Sequence, residues 1–548
     1  MQVSDISRIR KPEIRALHLT WIAFFICFYT WFNMAPLASS MLRSVDWLTR
    51  DDIRLFAIAN VALTIPARIL VGMALDKWGP RRVFSVLMVT MALPTFVFAF
   101  GDTREQLFIS RLVLSSVGAS FVVGIHMTAL WFRPRDIGFA EGFYAGWGNF
   151  GSAAAAITLP TIALMIYGGD DGWRWAIATS GLVMALYGIY YWFAITDGPT
   201  ADTHKKPRKV AALEVSSWGD LVLLCLFIVP MVGILSIVVY RIELMGYIDA
   251  MTAAICYFAI AVVVAYQIYQ ALRINLPILK KGVPQDDRYP FKSVAALNIT
   301  YFANFGAELA VVSMLPMFFE ETWGLTAAAA GLIAASFAFV NLFARPMGGL
   351  VSDRFGNRRF VMLAYMFGIG VGFVLMGLLN SNWPLIVAIA FTIMCSFFVQ
   401  GAEGATFGII PSIKRRVTGQ ISGMAGAYGN VGAVFYLFVF MFVTPTQFFF
   451  IIAAGAFISW AVCWLWLKEP EGGFGEEYVI SSVDAEIARE VAVRRETEKE
   501  LADIFSGSET VALADKGSGL TVTARFRDFE TLRAALNRLG KRQTTPAA

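Results

Sequence analysis

Apolar runs of about twenty residues, separated by short stretches rich in charge, Pro or Gly, follow one another along most of the chain. That length predicts helices that cross a membrane. The runs fall at 17–42, 54–75, 83–101, 106–132, 138–167, 174–195, 218–240, 248–272, 294–319, 327–351, 360–380, 383–411, 418–443 and 446–467. One feature cuts across the pattern. AGWGNFG (145–151), inside the fifth run, crowds glycine and an Asn into a stretch where a helix former is expected. Each Gly costs about 1 kcal/mol against Ala in a helix interior, so its presence needs a reason.

Composition strengthens the reading. Of the 548 residues, 57% are hydrophobic and 16% charged, against about a quarter charged in soluble proteins. The surplus of basic residues is small and forms no stripe, so nucleic acid is not an expected partner. Lys and Arg crowd alternate loops, beginning with Arg8, Arg10, Lys11 and Arg15. The intervening loops hold only Arg43, Arg50, Arg54, Arg104, Arg174 and Arg241. The positive-inside rule puts the first set and both termini in the cytoplasm of a multi-pass protein of the cell membrane. No small-residue cleavage site follows the first run, which is read as a retained helix. Cys27, Cys225, Cys256, Cys395 and Cys463 sit in apolar segments without metal-ligand spacing, and read as buried inert thiols. No metal, cofactor, phosphate loop or nucleophile–base pair is expected, and therefore no enzyme.

The chain repeats itself. GMALDKWGPRR (72–82) recurs as GLVSDRFGNRR (349–359), with Asp76 and Asp353 277 residues apart. Arg68 and Arg345 precede those aspartates by eight residues each. AGWGNFG recurs as AGAYGNVG (425–432), pairing Asn149 with Asn430. Two homologous six-helix halves follow, a common transporter plan. Residues 1–195 form the first and 293–470 the second. Residues 196–292 carry linkers and a two-helix insert, and 471–548 a cytoplasmic tail. An even insert keeps both halves in one orientation.

These repeats carry a resemblance. GxxxDKxGxRR after the second helix resembles the loop signature of the major facilitator superfamily. AGWGNFG and AGAYGNVG resemble the paired signatures of its nitrate/nitrite porter family, as does YFANFGAELAVVSMLP (301–316) that family's seventh helix. The likeness covers both halves. It implies an all-α major facilitator fold of about fourteen spans, carrying nitrate and nitrite by alternating access for nitrate assimilation. It also implies that Tyr301 and Phe305 face the substrate. In the fourth helix the counted aromatic match falls on Val122, with Phe121 beside it. The insert departs from the usual twelve-helix plan.

Depth gives the arginines an independent argument. Eight residues of helix place Arg68 and Arg345 about 12 Å from the repeated loops, near mid-bilayer. A charge there is a functional-site hypothesis by default. A guanidinium offers parallel donors to an oxyanion and keeps its charge. Two opposed arginines would clamp a small planar anion and leave the empty cavity net positive. The competing reading pairs an arginine with an intramembrane carboxylate, Glu308 or Glu403. Gly146, Gly148, Gly151, Gly426, Gly429 and Gly432, with Gly142 and Gly423, would let neighbouring helices close on the anion. Asn149 and Asn430 would add amide donors, or bond only backbone. Asp76, Arg82, Asp353 and Arg359 read as gating-loop residues rather than ligands.

Coupling admits two schemes. Nitrite leaving as nitrate enters satisfies the charge rule by antiport. Proton symport needs a titrating group at depth, for which His126, Glu308 and Glu403 are the candidates; the glutamates could instead pair with Arg111 or cap backbone. Other small or organic anions, and a nitrate sensor signalling through its tail, stand as alternatives to nitrate transport. In the tail, 484–505 and 528–540 read as helices and 519–526 as a strand. A cytoplasmic regulator of that tail is an expected partner, alongside the lipid bilayer.

Overall fold

The computed structural model describes residues 7–132, 134–198, 212–414, 417–470, 482–483, 510–515 and 520–525. Fourteen helical spans among them are long and apolar enough to cross a bilayer. The first half contains α1 (Pro12–Trp31), α2 (Ala38–Ser44), α3 (Arg50–Ala62), α4 (Thr64–Trp78) and α5 (Pro80–Phe100). It continues through α6 (Arg104–Leu114), α7 (Ser120–Trp131), α8 (Pro134–Thr161) and α9 (Gly172–Ala194). The insert is α10 (Trp218–Gly233), α11 (Leu235–Leu244) and α12 (Ala250–Lys281). The second half is α13 (Phe291–Trp323), α14 (Ala327–Phe339), α15 (Asn341–Arg354), α16 (Arg358–Gly377), α17 (Leu385–Ile413), α18 (Thr418–Phe440) and α19 (Pro445–Trp466).

Several spans are broken, which a hydropathy pattern does not reveal. The second breaks at Leu63, between α3 and α4. Pro66 has no N–H for the carbonyl four residues earlier, so the helix cannot run through unchanged. The Ser115 hydroxyl accepts the freed Leu63 N–H at 3.0 Å, and the Thr64 hydroxyl donates to the Ser115 carbonyl at 2.6 Å. The tenth span breaks at Val340, between α14 and α15. Leu63 and Val340 are again 277 residues apart, so the break repeats with the loops. Each puts an arginine five residues further on.

Close packing answers the question posed by AGWGNFG. α8 lies on α1: a Cβ at Gly148 would meet the Phe24 ring at 2.0 Å, and one at Gly151 the Phe25 carbonyl at 2.2 Å. α18 lies on α13 in the same way, Gly429 admitting Phe305 at 2.5 Å and Tyr301 at 2.8 Å, and Gly432 the Phe302 carbonyl at 2.1 Å. Gly146 and Gly426 face the other half. A Cβ at Gly146 would stand 2.7 Å from the Asn341 carbonyl, and one at Gly426 2.6 Å from Nη1 of Arg68. Gly423 meets nothing within 4 Å, so close packing does not explain it.

In the insert, α10 packs on α4, α13 and α18, and α11 on α3, so it touches both halves. Tyr247, just past α11, donates to Asp52 at 2.9 Å, and Tyr428 of α18 donates to the Phe227 carbonyl of α10 at 2.6 Å. α12 is almost wholly exposed and apolar, a lipid-facing surface. A second compact unit holds Pro284–Asp287 and Val479–Ala548. Its described part is an antiparallel hairpin of β1 (Thr510–Asp515) and β2 (Leu520–Arg525). β2 falls on the expected strand; the two expected tail helices lie outside the described residues.

Candidate functional site

Arg68 on α4 and Arg345 on α15 are both buried within the bundle. One aromatic ring serves both: Phe121 of α7 lies 5.5 Å from the Arg68 guanidinium and 6.0 Å from that of Arg345. Counting along the chain had pointed to Val122. One residue turns a helical side chain by about 100°, and the structure puts Phe121 at the site.

Beyond that ring the two arginines differ. Arg345 Nη2 donates to the Tyr301 hydroxyl at 2.8 Å, and its guanidinium stands 5.7 Å from the Phe305 ring. Tyr301 and Phe305 stack at 5.0 Å with 15° between planes, as one wall. Nη1 of Arg345 is 2.7 Å from Oε2 of Glu403 and 3.9 Å from Oε2 of Glu308. The 2.7 Å contact is an ion pair whose N–H is not aligned for a hydrogen bond, since both atoms lack a hydrogen-bond partner. Asn341, four residues before Arg345 on the same face of α15, donates to Glu308 Oε1 at 2.6 Å. Arg68 has no such company: its Nε and Nη1 are buried without hydrogen-bond partners, and no carboxylate among the described residues pairs with it.

Arg345 thus follows the competing reading, a pairing with intramembrane carboxylates. One expectation is corrected: those glutamates do not pair with Arg111. That guanidinium donates to Asn33 Oδ1 and to the Trp31 carbonyl, each at 2.8 Å, and lies over the Phe98 ring. It caps the C-terminal end of α1, where a cation is favourable.

The asparagines also part company. Asn149 is fully buried, and neither its Nδ2 nor its Oδ1 has a hydrogen-bond partner. An orphaned amide in such a site costs about 1–3 kcal/mol unless something completes it. Asn430 spends its Nδ2 on the Gly426 carbonyl at 3.0 Å, leaving only Oδ1 open. Its backbone-bonding alternative is the one realised.

A cavity of ≈ 510 Å³, counted out to its open mouth, reaches Arg345. Phe121 and Ile125 of α7, Glu141 and Gly142 of α8, Gly349 of α15 and Phe407 and Gly408 of α17 contribute to its walls. It extends toward the end of the bundle carrying the repeated loops. At the predicted outer end the halves are tied together. Arg50 pairs with Glu321 at 2.9 Å, Ser39 donates to Glu320 at 2.6 Å, and Arg43 lies 3.8 Å from Glu320. A second cavity there shares no lining residue with the first.

Of the gating-loop residues, Arg359 donates its backbone N–H to Glu469 at 2.9 Å, and its side chain donates to the Trp464 carbonyl. Asp197 accepts the Arg81 N–H at 2.6 Å at the equivalent place in the first half. Arg82 is exposed. The side chains of Asp76 and Asp353 lie outside the described set. His126 is half-buried on α7, and the described contacts of the two arginines do not include it. Sequence reasoning missed Asn341, Phe407 and Glu141. The first carried a signal, its four-residue spacing from Arg345. Phe407, 5.3 Å from the Tyr301 ring and 5.7 Å from Phe121, is one phenylalanine among 46.

Comparison with known proteins gives a consistent result. The sequence profile of the Major Facilitator Superfamily matches residues 20–274 and 297–485. The Nitrate/nitrite transporter NrtP of Nostoc punctiforme is 42% identical over 475 residues, covering 85% of this chain and 95% of the relative. The protein of that name from Picosynechococcus sp. is 40% identical over 503 residues, with 84% and 94% covered. High affinity nitrate transporter 2.5 of Arabidopsis thaliana is 30% identical over 441 residues, with 79% and 74% covered. Among solved structures, a D-xylose-proton symporter superposes with a TM-score of 0.58 at 13% identity, covering 86% of this chain and all of the other, a likeness of fold alone.

Proposed function

The chain belongs to the nitrate/nitrite porter family of the major facilitator superfamily, and on that footing we propose that it carries nitrate and nitrite into the cytoplasm by alternating access, coupled to protons. The observation that carries this reading is the pair of buried arginines sharing one aromatic ring, with an orphaned buried amide on α8. A planar monoanion supplies the acceptors that the two unpartnered nitrogens of Arg68 lack, and it accepts from Asn149. Tyr301 and Phe305 wall the site beside Arg345.

Coupling follows from the carboxylates. While Glu308 and Glu403 are both ionised, they hold Arg345 and repel an incoming anion. A proton on this pair weakens the 2.7 Å contact and frees one guanidinium edge for the substrate. Proton and anion then strengthen each other's binding, as linkage requires. In this reading both termini are cytoplasmic, and the ion pairs of Glu320 and Glu321 form an outer gate that must part as the halves rock. A cytoplasmic partner acting on the tail belongs to the same reading; truncation after residue 470 that leaves uptake and its control unchanged removes it.

The test is labelled-nitrate uptake into proteoliposomes of the purified protein, with chlorate, formate and larger carboxylates as competitors. Saturable uptake, inhibited by nitrite and abolished in Arg68→Ala, is the expected result. Uptake inhibited as well by larger carboxylates would replace nitrate by an organic anion. Absence of flux from folded protein that still binds nitrate would turn the reading to a sensor.

A further inference from the structure

A carboxylate on an anion's exit path is an odd choice. Glu141 stands in the wall of the cavity that reaches Arg345, on the side facing the cytoplasm. It lies eight residues, about two turns and 12 Å, before Asn149 on α8. The next residue, Gly142, brings α8 into contact with the Pro346 backbone of α15, so Glu141 sits where the two halves meet. No hydrogen bond or ion pair joins it to another described residue. α15 supplies Arg345 to the same cavity wall, α17 supplies Gly404, next to Glu403 in sequence, and α7 supplies Ile125, next to His126. Arg68 of α4 lies over the Phe121 ring of that wall.

Two guanidinium charges here face three carboxylates, Glu308, Glu403 and Glu141. Fully ionised, the cavity is net negative and would exclude nitrate. A carboxyl in the wall of this cavity, near the end of its span and with no partner among the described residues, calls for a function.

We propose that Glu141 is the inward proton-release residue, taking the proton that the Glu308–Glu403 pair gives up and passing it to the cytoplasm. The inference rests on the proton-coupled reading above. The step balances: the O–H bond of the Glu403 carboxylic acid breaks and an O–H bond forms on the Glu141 carboxylate, through cavity water. Glu141 then loses that proton to bulk water as the cavity opens. Glu403 is left ionised and retakes Arg345, which expels the anion. Glu141 touches neither arginine in the described contacts and acts on the proton, not on nitrate.

The test compares wild-type protein, Glu141→Gln and Glu141→Asp in proteoliposomes, in two modes. One is nitrate uptake driven by an inward proton gradient into empty vesicles. The other is exchange of labelled against internal nitrate at equal pH, a cycle in which the proton can stay bound. Glu141→Gln is expected to lose at least tenfold in gradient-driven uptake while keeping exchange within about twofold, and Glu141→Asp to recover much of the loss. Gradient-driven uptake at the wild-type rate in Glu141→Gln overturns the inference. So does loss of exchange to the same extent, which would make Glu141 part of the anion site or of the fold. Wild-type protein that exchanges nitrate but ignores the gradient would instead defeat proton coupling itself, and wild-type protein that moves no nitrate would defeat the transport reading.

Discussion

Arg68 and Arg345 hold equivalent places, 277 residues apart and each five residues past a helix break. Their company could hardly differ more. Arg345 has two carboxylates, a tyrosine hydroxyl and two aromatic rings about it. Arg68 has one aromatic ring and two unpartnered nitrogens. Duplication preserved the backbone device, and the side chains around it then diverged. On the proposed function, the arginine of the first half is the standing anion ligand, and that of the second is an element that a proton can release.

The sharpest way to break this comparison is to remove each arginine. Arg68→Ala should abolish nitrate uptake, by more than a hundredfold, with little change in thermal stability, because no buried partner is orphaned. Arg345→Ala should abolish uptake and also destabilise the protein by about 3–5 kcal/mol, since Glu403 would be left buried and unpaired and Glu308 with Asn341 alone. Melting curves of the two variants in detergent decide it; equal shifts would show that the halves are electrostatically alike. Next in size, Tyr301→Phe removes the 2.8 Å bond to Arg345. A hydrogen bond to a charged group contributes about 1.5–3 kcal/mol, so nitrate affinity should fall roughly tenfold or more, read as KM for uptake. The smallest effects belong to the amides. Asn149→Ala should weaken nitrate binding several-fold, and Asn430→Ala less, because the Asn430 Nδ2 is already engaged by Gly426. The reverse order, in equilibrium binding of labelled nitrate, would assign the anion to the second half.

The fold was largely legible before any coordinates. Spans of twenty apolar residues, the repeated loops and the paired Gly-Asn stretches each rest on sequence-local physics, and they converge on one architecture. The breaks at Leu63 and Val340 leave no mark in hydropathy, though the first had a signal in Pro66, three residues further on. The site was half legible. Arg68 and Arg345 declare themselves by charge at depth. Which carboxylate meets which arginine is a matter of helix rotation, and so Arg111 remained a partner for Glu308 and Glu403 until the helices were placed. Phe121 against Val122 turned on a single residue of register. Glu141, close to the end of a span, carries no signal in the sequence, and only the cavity that reaches it singles it out.

The division of labour between the halves is tested most directly with Glu403→Gln and Glu308→Gln in proteoliposomes. Nitrate uptake into empty vesicles is measured with and without an inward proton gradient, and again into vesicles loaded with nitrite at equal pH. The account predicts that wild-type protein accumulates nitrate when the gradient is imposed, without internal nitrite, and that the glutamine variants lose this response while still exchanging nitrate for nitrite. Wild-type uptake that demands internal nitrite and ignores the gradient, unchanged by either substitution, would contradict it: Glu308 and Glu403 would then be fixed counter-charges, and the two arginines a symmetric clamp after all.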